Sequence, residues 1–493
     1  MFYKGGNAVD AAVAAAICLT VVEPTMNGIG GDSFALVWDG TRVHGLNASG
    51  RSPAAWTRAR FEGFNEMPAT GWDAVTVPGA VSGWIELSRA FGVLRFEDLF
   101  EPAIECAQNG FPVSPFVAQT WAEAAPKYEA FESFVRTFLP GGKTPAAGEW
   151  FTAPDHARTL YEIAETFGES LYRGRLARII DVWSHETGGL MTAEDLAAHQ
   201  AEWVQPLEID FGDYVVHEIP PNSQGVAALI ALGLLRGVAV EDLWSVSPRA
   251  TELQILAMDR ALERTRAVVT DPAHMDTTVD ELLNPEYLAR EAVAMQASSQ
   301  ETMHKAGSGS DDTVYLTTAD ESGMMVSMIQ SNYFDFGSGL VVPGTGISLQ
   351  SRAACFSLET GHPNEVGGGK RPFHTLCPAF VTSHGHPVMS FGVMGGPMQP
   401  QGHLQVFLQA CVRGLNPQSA VDAPRWFIDM DGTVAFEQGY DVRVMEELAR
   451  KGRKAVVWPY GTPAFGGAQA IHVLDRGYCA GSDPRKDGQA AVI

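Results

Sequence analysis

The chain has 493 residues, 45% of them hydrophobic and 19% charged, a globular composition with ample apolar material for a large core. Lys and Arg number 34 against 58 Asp and Glu, a net charge of −24 spread along the chain, which disfavours nucleic-acid binding because phosphate contacts need clustered cations. Cys18, Cys106, Cys355, Cys377, Cys411 and Cys479 form no CxxC or Cys/His ligand spacing, which argues against a disulfide scaffold or structural zinc and points to a reducing, cytoplasmic compartment.

In chain order, Asn7 is placed to cap a helix beginning near Ala8. Residues 11–22 are apolar, follow Lys4 and have the look of a signal-peptide core. However, Asp10 and Glu23-Pro24 bracket the stretch and it is too short to span a bilayer, so a buried Ala-rich helix is expected, with no membrane partner. Phe34 to Trp38 and Arg42 to His44, around Asp39-Gly40, predict a hairpin with a two-residue Asp-Gly turn. The segment 79–204 reads as mostly helical, with helix patterns over 84–91, 96–109, 156–166 and 193–199. Residues 209–218 return to strand, and 226–235 and 252–268 to helix.

Residues 297–312 are polar and small, including Gly307-Ser-Gly-Ser310 and Asp311-Asp312, and are expected to form an exposed flexible linker. A strand from Thr313 to Thr318, a turn over Asp320 to Gly323 and a second strand from Met324 to Gln330 follow. Farther on, a strand over 388–393 leads to Gly395-Gly396 and then to a helix over 402–412. A linker feeding a strand that opens on threonine is the arrangement a self-cleaving hydrolase needs. The hydroxyl attacks the Asp312–Thr313 bond, and the freed α-amine, with a pKa of roughly 7.7–8.0, then serves as the base for that hydroxyl. Gly395 and Gly396 could present two backbone N–H groups to an oxyanion. Taken alone, each of these features is ordinary: threonine commonly opens a strand, and Gly-Gly commonly makes a turn.

No G-x-S-x-G, H-E-x-x-H or Walker A sequence occurs, and Gly28-Ile-Gly-Gly31 lacks the dinucleotide spacing, so no cofactor and no metal is expected. A series of segments, in order over nearly the whole chain, resembles the gamma-glutamyltranspeptidase family. They are GGNAVDAA (5–12), EPTMNGIGG (23–31), VPG (77–79), EPAI (101–104), PPNSQG (220–225), FGSG (336–339), PGTG (343–346), KRP (370–372), GG (395–396), DAPR (422–425) and DPRKDG (483–488). The resemblance implies an N-terminal nucleophile hydrolase: an α/β fold built as a four-layer α/β/β/α sandwich, cleaved into a large subunit 1–312 and a small subunit 313–493 that form one intertwined unit. It implies Thr313 as nucleophile, Ser331 as the hydroxyl that positions it, and Gly395 and Gly396 as the oxyanion donors. The partners it implies are the two subunits themselves and a small-molecule amide or carboxylate substrate, and a homodimer of such heterodimers is one assembly open to it. Family members carry a strand and a helix before the GGNA segment, which begins here at residue 5.

The substrate pocket departs from the family. The arginine that clamps the substrate α-carboxylate has its nearest counterpart in Arg51, offset by about two positions. The acidic and amide residues that hold the α-amine fall on Cys355 and Arg352, a serine pair is replaced by His374-Thr375, and an asparagine by Tyr333. An arginine repels an ammonium group, so Arg51 and Arg352 point to a substrate with one or two carboxylates and no amino-acid head. Three functions are thus open: a gamma-glutamyltransferase-like enzyme working through a threonine acyl-ester, a non-glutamyl amidohydrolase of the oxamate or cephalosporin-acylase kind, or a non-catalytic family member that binds a small carboxylate.

Overall fold

The computed structural model describes residues 1–238, 243, 247–297, 311–429 and 431–493. Two antiparallel sheets lie face to face at its centre. The first has strands β1 (Asp32–Trp38), β2 (Val43–Ala48), β3 (Glu202–Val204), β6 (Asp311–Ala319) and β7 (Met325–Phe334) in the order β3-β2-β1-β7-β6. The second has β4 (Leu207–Phe211), β5 (Tyr214–Glu218), β8 (Ala379–Ser383), β9 (His386–Met394), β13 (Gly467–Val473) and β14 (Tyr478–Ser482) in the order β14-β13-β9-β8-β5-β4. A small third sheet joins β10 (Trp426–Ile428), β11 (Val434–Glu437) and β12 (Ala455–Trp458).

The period-two alternation of β1 shows why four layers form. Phe34, Leu36 and Trp38 point between the sheets, where they meet Ile329, Leu376 and Phe380, while Ala35 and Val37 point outward. The outer face of the first sheet is covered by helices that include α1 (Ala8–Val22) and α2 (Ala80–Phe91). The outer face of the second carries α3 (Val226–Leu235), α4 (Pro248–Val268) and α5 (Met398–Phe407), packed on Val381, Phe391 and Val393. Hydroxyls stitch the sheets together: Thr317 Oγ1 lies 2.6 Å from Ser390 Oγ, and Ser327 Oγ donates to the Phe391 carbonyl at 3.2 Å. The expected sandwich is therefore present, and α1 is the buried helix expected, capped by reciprocal hydrogen bonds between Asn7 and Asp10.

Three of the boundaries that differ from the sequence expectations have a local explanation or bear on the site. The hairpin turn falls on Gly40-Thr41, not Asp39-Gly40, because the Asp39 carboxylate accepts the N–H groups of Thr41 and Arg42 and so belongs to the strand end that caps the turn. The helix expected over 402–412 begins at Met398, because Pro400 in its first turn removes only an N–H that has no intrahelical partner. Thr313 is not the first residue of its strand: Asp311 and Asp312 already pair with Phe334 and Tyr333. Residues 298–310 of the expected linker lie outside the described residues.

Candidate active site

The register of β6 on β7 slips at Thr313. Asp312 pairs with Tyr333 and Val314 with Gln330, so Ser331 and Asn332 together face Thr313 alone. This β-bulge puts its extra residue on β7 and turns Ser331 toward the threonine. The buried Thr313 hydroxyl donates to Ser331 Oγ at 3.2 Å, and the Tyr333 N–H donates to the same oxygen at 2.8 Å. Tyr333 itself has φ +78°, a conformation a bulky residue adopts only under constraint. The Gly28–Gly31 loop packs directly on the bulge. A Cβ at Gly31 would stand 2.5 Å from the Ser331 carbonyl oxygen and 2.7 Å from Asn332 Oδ1, so no larger residue fits there.

Beyond β9, Gly395 and Gly396 have φ of +119° and +50°. Their carbonyls accept the N–H groups of Met398 and Gln399 at the start of α5, and the Gly396 carbonyl also accepts Gln224 Nε2 at 2.8 Å. In a trans peptide the N–H points opposite to the carbonyl, so anchoring the Gly395 carbonyl to the helix turns the Gly396 N–H away from it. Among the described residues, neither glycine N–H donates to another group.

The remaining residues expected in the pocket divide into two groups. Arg352, Tyr333, His374 and Thr375 come together. Arg352 is fully buried, its Nη1 donates to Thr375 Oγ1 at 2.8 Å and approaches Cys355 Sγ at 3.7 Å, and its Cζ lies 4.2 Å from the centre of the Tyr333 ring. His374 Nδ1 accepts the Leu376 N–H, which leaves the proton on Nε2 to meet Asp32 Oδ2 at 3.1 Å. Burial, then the charges of Arg352 and Arg371, hold His374 well below its usual pKa, so it is neutral. Burial pushes the Asp32 carboxyl up to about 6, against the opposing pull of Arg352 and of hydrogen bonds from Gln350 and Gly50. Arg51 goes elsewhere: it is 40% exposed, is bonded to Asp271 and lies 3.7 Å from Glu202, with no contact to Thr313 among its partners.

Two residues of this site were missed from sequence. Asp32, paired with Ser331 across β1 and β7, stands ahead of the strand read from Phe34 and carries no motif that marks it. Gln224, inside PPNSQG, joins the Thr375 and Gly396 carbonyls. A separate buried group, Glu218, Cys377 and His403, has the composition of a metal centre. But His403 Nε2 accepts the Val393 N–H, so its proton sits on Nδ1, 2.6 Å from Glu218 Oε1, and no nitrogen lone pair is left for a metal.

The whole chain, residues 1–493, matches the sequence model of the family described as gamma-glutamyltranspeptidase. The chain belongs to that family. Its members are enzymes, and its relatives include one from Bacillus subtilis (strain 168) named glutathione hydrolase-like YwrD proenzyme, 37% identical over 99% of this chain and 95% of the relative. An oxamate amidohydrolase proenzyme from Klebsiella pneumoniae is 34% identical over 99% of this chain and 94% of its own length. The crystal structure of a cephalosporin acylase from Bacillus halodurans superposes with a TM-score of 0.93 at 43% identity, covering 99% of this chain and 92% of that one. The likeness to the gamma-glutamyltranspeptidase of Helicobacter pylori extends over 63% of this chain, with a TM-score of 0.58 at 27% identity. Of the positions read as departures from the family, Tyr333, Arg352, Cys355 and Thr375 meet at one contact, while Arg51 lies apart from it.

Proposed function

We propose that Thr313 is the nucleophile of an amidohydrolase that matures by cutting its own chain between Asp312 and Thr313. The observation that carries this is the bulge that sets Ser331 Oγ 3.2 Å from the buried Thr313 hydroxyl. Thr313 Oγ1 attacks the Asp312 carbonyl carbon, the peptide C–N bond breaks as the nitrogen takes the hydroxyl proton, and water hydrolyses the resulting ester. The products are a carboxylate on Asp312 and a free amine on Thr313, giving segments 1–312 and 313–493.

In the mature enzyme that amine takes the Thr313 hydroxyl proton while the oxygen attacks a substrate amide. The oxyanion lies against the Gly395 and Gly396 N–H groups, and the ammonium returns its proton to the leaving amine. Water then hydrolyses the acyl-ester. This agrees with relatives named as proenzymes of an amidohydrolase and of a glutathione hydrolase-like protein. The buried Arg352 favours a non-glutamyl amide over a γ-glutamyl one, because it would oppose a substrate ammonium. None of the six cysteines forms a disulfide, which fits the cytoplasm, and among the described residues no helix is long and apolar enough to cross a membrane.

Thr313→Ala should run as one band on a denaturing gel where the wild type gives two, and sequencing of the smaller wild-type fragment should begin at Thr313. A Thr313→Ala chain that still splits there would refute the assignment.

A further inference from the structure

We propose that Arg352 is a carboxylate subsite: the acyl half of the substrate amide ends in a carboxylate that takes the two donors on the open edge of this guanidinium. This rests on the reading of Thr313 as nucleophile. Arg352 is fully buried and held from two sides, by Thr375 Oγ1 on Nη1 and by the Tyr333 ring beneath it. Its Nε and Nη2 atoms have no hydrogen-bond partner. In a guanidinium these two N–H groups lie side by side on one edge, the fork that binds both oxygens of a carboxylate in parallel. A buried cation with that edge empty is costly, and the structure keeps it so.

The nearby anion does not fill it. Asp32 contributes its charge, but its oxygens are taken by the Gly50 N–H, Gln350 Nε2 and His374 Nε2, and among the described residues no carboxylate lies within ion-pair distance of Arg352. The guanidinium is tied to both halves of the reacting site. Tyr333, beneath it, donates to the Ser331 oxygen that accepts the Thr313 hydroxyl. Thr375, beside it, is bonded through its carbonyl to Gln224, which also holds the Gly396 carbonyl.

The acyl half is the part assigned because it stays on Thr313 while the leaving amine gives way to water, so the enclosed side of the site suits the acyl group. In the uncut chain Asp312 pairs with Tyr333 and Asp311 with Phe334. The cut before Thr313 severs that segment from the strand, so only its pairing with Tyr333 and Phe334 still holds it beside the residue that stacks on Arg352.

The test compares the succinyl and glutaryl p-nitroanilides with their methyl esters on processed wild-type protein. The free acids should exceed the esters by about 100-fold or more in kcat/KM, as expected where a site built for a polar group meets an analogue lacking it. Arg352→Met should bring that ratio close to one. An independent measurement needs no variant: glutarate should inhibit the wild type competitively, and dimethyl glutarate should not. A wild-type ratio near one, a ratio unchanged in Arg352→Met, or equal inhibition by glutarate and its diester would overturn the proposal, as would a preference for a carboxylate on the amine half, tested with the butyryl amide of 4-aminobenzoate. If the wild type is not cut before Thr313, or no acyl mass appears on the 313–493 fragment, the nucleophile reading fails instead. A cut, acylated enzyme indifferent to the carboxylate sinks the Arg352 assignment alone.

Discussion

Ser331 owes its place to one inserted residue. It accepts hydrogen bonds from the Thr313 hydroxyl and the Tyr333 N–H while fully buried, so it couples the orientation of the nucleophile to the backbone of the strand beside it. A neutral hydrogen bond contributes about 0.5–1.5 kcal/mol net, which corresponds to roughly tenfold in rate if it acts only on the barrier. Ser331→Ala should therefore fold, with self-cleavage slowed about tenfold. The time course of fragment appearance measures this, and a rate equal to wild type would remove Ser331 from the mechanism. At this scale the sequence was informative in part. Thr313, Gly395 and Gly396 stood out by order and residue type, and Ser331 only through the family resemblance. Asp32 did not, because an acid at the head of an apolar strand carries no mark of the three donors that converge on it. Nor could the residue types separate Arg51 from Arg352: both are arginines beside family motifs, and only the fold gives one of them carboxylate partners and leaves the other without.

At the level of elements, the bulge between β6 and β7 and the loop before β1 form one construction. The Gly28–Gly31 loop presses on the bulge so closely that any side chain at Gly31 would displace the Ser331 carbonyl or the Asn332 amide. Gly31→Ala should cost about 1–3 kcal/mol through this overpacking. It should also slow self-cleavage more than its loss of stability alone explains, since the displaced atoms belong to the residue facing Thr313. Thermal unfolding and cleavage rate measured on one sample decide this: a full drop in stability with normal cleavage would show that the loop supports the fold and not the site. Strand and helix periodicity located most elements within a few residues, including the helix over 226–235. It could not locate the bulge, because a one-residue slip depends on which strand lies alongside, and β6 meets β7 and β7 meets β1 only in the folded sheet.

Across the whole molecule, two motifs more than fifty residues apart close into a buried ionic cluster. Arg425 donates to Asp483 at 2.6 Å and to the Phe465 carbonyl at 2.8 Å, while Arg485 bridges Asp483 and Glu437. This cluster holds the start of β13, where the Ala468 N–H meets Asp483 Oδ2. It also fixes the neighbouring Gly466, whose Cα would lie 2.9 Å from a Cβ at Gly395. Burial alone would raise the Asp483 pKa, but the charges of Arg425 and Arg485 and two backbone N–H groups outweigh it and hold the pKa below the ordinary value. With a depressed folded pKa, the contribution of Asp483 is fully present above the ordinary value of about 3.9 and is lost as pH falls through the folded value. Arg425→Met leaves that carboxylate less compensated and should cost about 3–5 kcal/mol. It should also move the acid-unfolding midpoint to higher pH, which circular dichroism would follow. An acid limb that coincides with that of wild type would show that Arg425 does not set the Asp483 titration.

The sequence by itself determined the family and, through that resemblance, the layered fold, and it named candidate reacting groups, because motif order and residue chemistry are local properties that survive without coordinates. The tertiary structure alone decided which arginine packs on Tyr333 and Thr375, which acid meets His374, and how the Thr313 hydroxyl is held. Each of these depends on atoms brought together from β1, β6, β7 and the segments around 352 and 374, and burial sets their charge states only after those segments have met.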